Sequence, residues 1–430
     1  MEKINSLCNF IDQSITPYHT IEQISKYLDA NHFIKLDDNK PWVLKPGGSY
    51  YIVKDQSSLI GFKIGLKMDN FKIVASHNDT PGFKVKPNGF INTKNYFQLN
   101  TEVYGGPIYM TWLDRLLGIA GRVLVKNDDK IISQLVTLNQ KVIIPSVAIH
   151  FNREVNKGIE LNPQIDLLPL VSTINNKLTF DEWLTSQLNI KPNMVLAHDL
   201  YLYNLDKAKT WGIDNAFLSA PRIDNLECAY ATLVGFLTSN NIQGINVYAC
   251  FNNEEIGSLT KQGASSTFLK ETLERISYNI GKTTEDYYCM LANSVIVSAD
   301  NAHAQHPNRP EKTDSVNYAK MNEGIVIKYS ARQSYTTDAV SSSLFQSILK
   351  DELIPYQSFT NRSDERGGGT LGAISSSQVS ITSIDIGLAQ LAMHSAYETS
   401  GTKDFTYLIK AIKAFYEASF SKKDEGWLLK

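Results

Sequence analysis

The stretch IDNLECAYATLVGFLTSNNIQGINVYACFNNEE, residues 223–255, decides the reading of this chain. Its first half repeats apolar residues at helical spacing, and INVYACF is a short apolar run of strand length that ends abruptly on Asn252, Asn253, Glu254 and Glu255. The same grammar continues downstream. SSTFLKETLERISYNI (265–280) reads as helix, NSVIVSAD (293–300) as strand, TTDAVSSSLFQSILKDE (336–352) as helix, VSITSIDIG (379–387) as strand, and a closing helix carries Leu408, Ile409, Ile412, Phe415 and Tyr416 on one side. Alternation of this kind predicts an α/β domain.

Upstream, the first thirty residues space Ile4, Leu7, Ile11, Ile21, Ile24 and Leu28 as amphipathic helix interrupted at Pro17. After Pro46-Gly47-Gly48 come three β-rich runs, YYIVK, LIGFKIG and FKIVAS. From 86 to 204 the texture stays strand-like, through GRVLVKN, KIISQLVTL and KVIIPSVAIHF. The expected layout is an α/β domain of residues 1–85 and 205–430 with a β-rich insert, 86–204, between its segments.

Composition narrows the function. With 430 residues, 43% of them hydrophobic, and only 25 glycines and 14 prolines, the chain has ample core and is neither collagen-like nor broadly disordered. Its 42 basic and 44 acidic side chains leave a formal charge of -2, so no bulk field calls for nucleic acid or an anionic membrane. No run approaches the roughly 18 apolar residues of a membrane span, and the N-terminus lacks the pattern of a secretory signal. The four cysteines are scattered without CxxC spacing, which fits a reducing compartment and predicts a cytoplasmic protein.

In open α/β sheets chemistry gathers beyond the carboxyl ends of the strands. There KIVAS runs into His77 and Asp79, INVYACF into Glu254 and Glu255, and NSVIVSA into Asp300, His303 and His306; ITSIDIG leads to His394, and Asp224 opens a helix. Singly these are ordinary: a helix cap, a solvated loop, a hydrogen-bonded histidine. Jointly they are costly to place after apolar strands unless a cation gathers them. Oxygen donors mixed with imidazole, and no thiolate, suit zinc, cobalt or manganese. His77, Asp224, Glu254, Glu255, Asp300 and His394 exceed what one catalytic ion takes, so two ions are expected to share them, an arrangement suited to hydrolysis. Of the adjacent glutamates, one can ligate while the other moves a proton. Asp79 is placed to accept the distal N–H of His77 and fix its tautomer.

Several blocks, in order, resemble the aspartyl aminopeptidase and vacuolar aminopeptidase I family of dinuclear zinc exopeptidases: SHNDTP (76–81), YGG with TWLDRLLGIAGRV (104–123), IPSVAIHFNR (144–153), RIDNL (222–226), NNEEIGSLTKQGA (252–264), ADNAHAQHPN (299–308), GGGTLG (367–372) and IDIGLAQLAMHS (384–395). The resemblance covers nearly the whole chain. It implies a zinc exopeptidase-like fold, a mixed central sheet with helices on both faces, and makes the insert a dimerisation domain. It implies that His77 and Asp300 hold one zinc, that Glu255 and His394 hold the other, that Asp224 bridges them and that Glu254 is the general base. Co2+ or Mn2+ is expected to substitute. It further implies a tetrahedral dodecamer built from dimers, in which His150 is similar to a histidine lent to a neighbouring active site. The expected substrates are peptides with a free α-amine, with acidic first residues favoured by Arg332, and with His303 and His306 lining the pocket. Leu116 and Tyr397 depart from the family pattern and touch subunit contacts and pocket detail rather than any proposed ligand. The alternatives are a neutral or broad aminopeptidase, a deacylase of N-acyl amino acids, or an oligomeric cargo-binding shell.

Overall fold

The computed structural model describes residues 2–93, 95–173, 178–191, 194–240, 243–365 and 367–429. The chain divides into two compact units. One comprises Met1–Asp79, Ala208–Met393 and Glu398–Lys430; the other comprises Thr80–Lys207 with His394–Tyr397. The sequence placed the divisions after residues 85 and 204. The strand Gly82–Asn92 accounts for the earlier one, because it pairs from its first residue with Tyr104.

The first unit is built on a nine-stranded mixed sheet. Its order is Ile34–Leu36, Ser49–Lys54, Ser58–Ile64, Gln243–Phe251, Lys67–His77, Val295–Ala299, Thr382–Gly387, Ile325–Tyr329 and Tyr356–Thr360. The three middle strands are parallel, with Phe251 opposite His77 and Ser298 opposite Ala75. Alternation along them explains the two helical layers. Val74, Tyr248, Cys250, Val295 and Val297 pack with the helices Glu2–Gln13, Ile223–Thr238, Ala339–Asp351 and Thr402–Glu417. Ile73, Ala75, Val247, Ala249 and Ile296 pack on the other face with Phe268–Asn279 and Thr284–Ala292. The α/β class with helices on both faces is therefore as expected.

Two lysines, Lys63 half-buried and Lys72 buried, finish helices of the first layer. Lys63 Nζ donates to the carbonyls of Phe236, Leu237 and Ser239 at 2.7, 3.1 and 2.9 Å, where Ile223–Thr238 ends. Lys72 Nζ donates to Tyr416 O at 2.7 Å, in the last turn of Thr402–Glu417. Both meet carbonyls that the helix itself leaves unsatisfied. Among the described residues no helix is long and apolar enough to cross a membrane.

The second unit is a closed barrel in the order Val195–Asn204, Gly82–Asn92, Phe97–Tyr104, Leu170–Ser172, Lys130–Ile143 and Leu116–Asn127. Phe83, Leu99, Leu117, Ile119 and Val123 are buried in it. Two features differ from the strand-like reading of this region. A helix, Phe180–Leu188, closed by a Thr179–Glu182 capping box, packs Phe180, Trp183 and Leu184 against the same core. The run KVIIPSVAIHF does not continue as strand: pairing stops at Ile143, apart from one isolated bridge at Ile144, and residues 145–151 form an exposed turn region. Pro145 has no N–H to offer a ladder, which accounts for the stop.

Candidate metal centre

The three parallel strands end side by side, and the first unit's candidate residues lie just past those ends. His77 is the last residue of Lys67–His77, Asp300 follows Val295–Ala299, and Glu254 and Glu255 occupy the short 3-10 turn after Gln243–Phe251. Asp224 lies in the distorted first turn of Ile223–Thr238, where the Asp224–Asn225 peptide is cis. Its backbone N–H donates to Glu398 Oε2 at 3.0 Å.

His77 is at the centre. Its Nε2 lies 3.3 Å from Asp300 Oδ1 and 3.5 Å from Asp224 Oδ1, and all three residues are buried. One ligand atom from each of His77, Asp224 and Asp300 lies within 4.8 Å of the others, and the same holds for His77, Glu254 and Glu255. The two distances from His77 are compatible with zinc: bonds of about 2.0–2.2 Å at tetrahedral angles separate neighbouring ligand atoms by about 3.3–3.6 Å. No cysteine belongs to either group.

The surroundings hold this arrangement. His77 Nδ1 lies 3.1 Å from the backbone carbonyl of Asp79 and 3.5 Å from its Oδ1. A carbonyl can only accept, so Nδ1 donates there; Nε2 is the nitrogen turned toward Asp224 and Asp300, protonated while it faces carboxylates alone and able to offer a lone pair if a cation takes that proton's place. The Asp79 carboxylate does something the sequence did not suggest. Its two oxygens accept the backbone N–H groups of Glu254 and Glu255, each at 3.1 Å, and so fix the turn that carries both glutamates.

Lys328 was not legible as a site residue. It is 2% exposed, its Nζ donates to Asn301 O at 2.7 Å, and it lies 3.4 Å from Asp300 Oδ2. The available signal was a lysine inside the apolar run IVIKY, where a charge needs a buried partner. Glu398, Asn225 and Glu227 were also missed. Asn225 Nδ2 donates to Ala299 O at 2.9 Å, and Glu227 accepts from Asn301 Nδ2 at 3.2 Å and Ser400 Oγ at 3.1 Å. The strand Thr382–Gly387 passes so close that a Cβ on Gly387 would lie 1.9 Å from the Asp300 carbonyl oxygen, so this position requires glycine.

The electrostatics are those of an acidic, dehydrated pocket. Burial pushes the Glu254 carboxyl up to about 8, despite His77, with Asp300, Asp79 and Asp224 adding to the rise. Burial and then Asp224 push Glu255 well above the carboxylate range. At Asp300 burial acts upward, but Lys328 and His77 outweigh it and hold the carboxyl well below its usual value. Burial alone would lower His77, yet hydrogen bonds to Asp224, Asp300 and Asp79 raise it well above the imidazole range.

The sign of the pH dependence follows for chelated protein. Folded-state values raised at Glu254, Glu255 and His77 mean that the folded chain binds more protons than the unfolded one from about pH 4.5 upward. Their contribution to stability is present in mild acid and is lost as pH rises toward 8. The Tm of chelated protein is expected to fall between pH 5 and 8, and reloading with zinc to remove most of that slope. A flat or rising Tm for chelated protein would contradict this electrostatic reading.

The remaining candidates are placed as follows. His394 lies in the segment that belongs to the second unit, half-buried at φ +68°; its Nδ1 is 3.1 Å from Gly106 O, and its own carbonyl accepts the Ile108 N–H at 2.9 Å. His150 is also in the second unit and is exposed, beside Ile149 and Phe151. His303 and His306 are exposed in the first unit and line a cavity of 240 Å³ with Lys312, Phe359, Gln390 and Met393. Arg332 lines an adjoining cavity of 680 Å³ with Asp314, Ser334, Thr337, Asn361 and Arg362. Arg362 is engaged by Asp364 at 2.7 Å, whereas Arg332 makes no ion pair among the described residues. Leu116, one of the two departures, is exposed at the start of a barrel strand, and Tyr397 donates its hydroxyl to Lys207 O at 2.8 Å.

With this geometry the chain was compared with known proteins. The family profile described as aminopeptidase I zinc metalloprotease (M18) matches residues 10–416. A probable M18 family aminopeptidase 2 of Clostridium novyi (strain NT) is 43% identical over 423 residues, covering 96% of this chain and 98% of that protein. Among solved structures, a chain in the cryo-EM structure of the Ape4 and Nbr1 complex superposes with a TM-score of 0.92 at 31% identity, covering 96% of this chain and 85% of that one. The S. cerevisiae mApe1 dodecamer gives 0.83 at 27%, covering 96% of both chains.

Proposed function

The chain belongs to the aminopeptidase I zinc metalloprotease (M18) family and is a zinc-dependent aminopeptidase, and we propose that it releases single N-terminal residues from peptides using two zinc ions, with a preference for acidic first residues. The observation that carries this reading is the buried group of His77, Asp224 and Asp300, whose ligand atoms all lie within 4.8 Å of one another, close enough to share a cation. In this proposal His77 and Asp300 hold one ion, Glu255 and His394 the other, and Asp224 serves both. Co2+ or Mn2+ can replace zinc at such donors.

Bound metal supplies a Lewis acid for the scissile carbonyl and lowers the pKa of the attacking water. The residues do the rest. Glu254 accepts a proton from that water on a carboxylate oxygen and returns it to the leaving amine; burial and neighbouring carboxylates raise this carboxyl in the metal-free chain, and bound cations would favour its ionised, proton-accepting form. Asp79 orients this base through the backbone of the 254–255 turn, and orients His77 through its carbonyl. Lys328 holds Asp300 ionised beside the ligand set.

The barrel unit is proposed as the dimerisation domain, and the assembly as a dodecamer like that named for the yeast relative. In that assembly His150 would be lent to a neighbouring subunit. Support comes from the exposed turn around it, where Val147, Ile149 and Phe151 leave 56%, 51% and 87% of their surface open and so present apolar side chains that a partner subunit could cover.

Acid preference is proposed to arise from Arg332, a guanidinium without an ion pair among the described residues, in a cavity that also holds Asp314, Arg362 and Glu365, with His303 and His306 lining the neighbouring one. A panel of aminoacyl p-nitroanilides tests it. Asp and Glu are expected to exceed Leu and Lys in kcat/KM by about tenfold or more, the scale of one charge-assisted hydrogen bond, and Arg332→Ala is expected to level them. Acid preference that survives Arg332→Ala would remove Arg332 as the selector. A panel that favours Leu would make the enzyme a neutral aminopeptidase.

A further inference from the structure

Asp385 is a carboxylate at a place where sheets rarely keep one. It sits in the interior strand Thr382–Gly387 and is fully buried; among the described residues no cation reaches it within salt-bridge distance, although the charge of Lys328 is near enough to interact with it. Burying an ionised carboxylate this way is costly unless its lone pairs are filled, and three donors from two different loops fill them. Oδ2 accepts the Thr336 backbone N–H at 2.6 Å and the Thr336 hydroxyl at 2.8 Å, while Oδ1 accepts the Thr370 hydroxyl at 2.5 Å. Ser383 Oγ lies 2.7 Å from Thr336 Oγ1 and can donate back to it. The backbone joins in, since the Asp385 N–H donates to Thr337 Oγ1 at 2.9 Å. That bond stands where the antiparallel ladder to Ile325–Tyr329 has stopped, its last pair being Ile327 with Ile386.

The two loops held this way have a common role. The first, 330–338, leaves the strand that carries Lys328; its residues Ser330, Arg332, Ser334 and Thr337 line the 680 Å³ cavity. The second runs through Gly367, which lines the same cavity, to Thr370 and the helix Leu371–Gln378. Fit on that side is tight: a Cβ on Gly372 would lie 2.5 Å from both Asp385 oxygens, so the carboxylate approaches the chain as closely as glycine permits.

We infer that Asp385 is a positioning residue for substrate binding, fastening the 330–338 loop to the 367–372 loop so that two walls of the Arg332 cavity keep their spacing. This rests on the aminopeptidase reading, with the cavity as the place where substrate is held. Asp385 touches neither substrate nor metal. Its loss therefore loosens the cavity without removing a ligand or the base, and acts on KM rather than on kcat.

The experiment measures kcat, KM and bound zinc separately, with the best substrate of the p-nitroanilide panel. Asp385→Asn is expected to raise KM by about tenfold with kcat within about threefold of wild type and zinc content unchanged. Thr370→Val removes the hydroxyl donor to Oδ1 and is expected to raise KM about threefold; Thr370→Ser, which keeps the hydroxyl, is expected to restore it. A purely structural role would lower Tm and leave KM alone. Wild-type KM in a folded, zinc-loaded Asp385→Asn protein overturns the inference, as does a fall in kcat at constant KM. Should Asp385→Asn fail to fold, the Thr370 pair decides, and equal KM values for Val and Ser overturn it. Failure of the aminopeptidase reading is distinct, because wild-type protein would then cleave no member of the panel.

Discussion

Glu254→Gln is expected to lower kcat by about a hundredfold or more while zinc content and assembly stay those of wild type. The glutamate sits on a 3-10 turn whose N–H groups are tied to Asp79, so the amide can take the same position. Glutamine preserves size and hydrogen bonding but cannot take a proton from water or return one to an amine. Burial and neighbouring carboxylates raise the Glu254 carboxyl in the metal-free chain, so it holds a proton readily, and bound cations would favour the ionised form that takes one from water. Single-turnover kinetics and metal analysis on the same preparation measure the effect. A variant that keeps more than about a tenth of wild-type turnover would transfer the proton-moving role to another group.

Asp224→Ala and His77→Ala are expected to differ in stoichiometry. If Asp224 serves both ions, its loss leaves neither position able to retain zinc through dialysis, and turnover falls below detection. His77→Ala removes a ligand from one position only and is expected to leave about one zinc per chain, bound where Glu255 and His394 are proposed to act. Even outer partners of a metal ligand cost about 10–100-fold in affinity when lost, so direct ligands cost more. Equal zinc content in the two variants would end the shared role of Asp224, and undiminished turnover after exhaustive chelation would end the metal mechanism itself.

The α/β class of the first unit is legible in the sequence. The central strands were legible because their apolar runs are short, separated by turn residues and followed at once by polar groups, and His77, Asp300 and the two glutamates were legible as residues that follow such runs. Residues whose role depends on what they face across the sheet were not. Lys328 and Asp385 sit inside strands whose local pattern says only that a charge interrupts apolar neighbours, and their partners are 28 and 49 residues away. Glu398 bonds the Asp224 backbone across 174 positions. The helix Phe180–Leu188 hid within a β-rich stretch because nine residues give periodicity little room. His394 was read as following a strand of the first unit, yet the segment from His394 to Tyr397 packs with the second, a placement set by tertiary contacts that spacing does not encode.

The order of the sheet also governs how the molecule is made. Lys67–His77 lies between Gln243–Phe251 and Val295–Ala299, so a chain leaving the ribosome has its middle strand more than 160 residues before either neighbour exists. Pairing over such separations is slow, and an unpaired apolar strand is exposed to aggregation while it waits. His77 and Asp300 can meet only when roughly seven tenths of the chain has been translated. If these two residues share a zinc ion as proposed, its capture is a late event in biosynthesis.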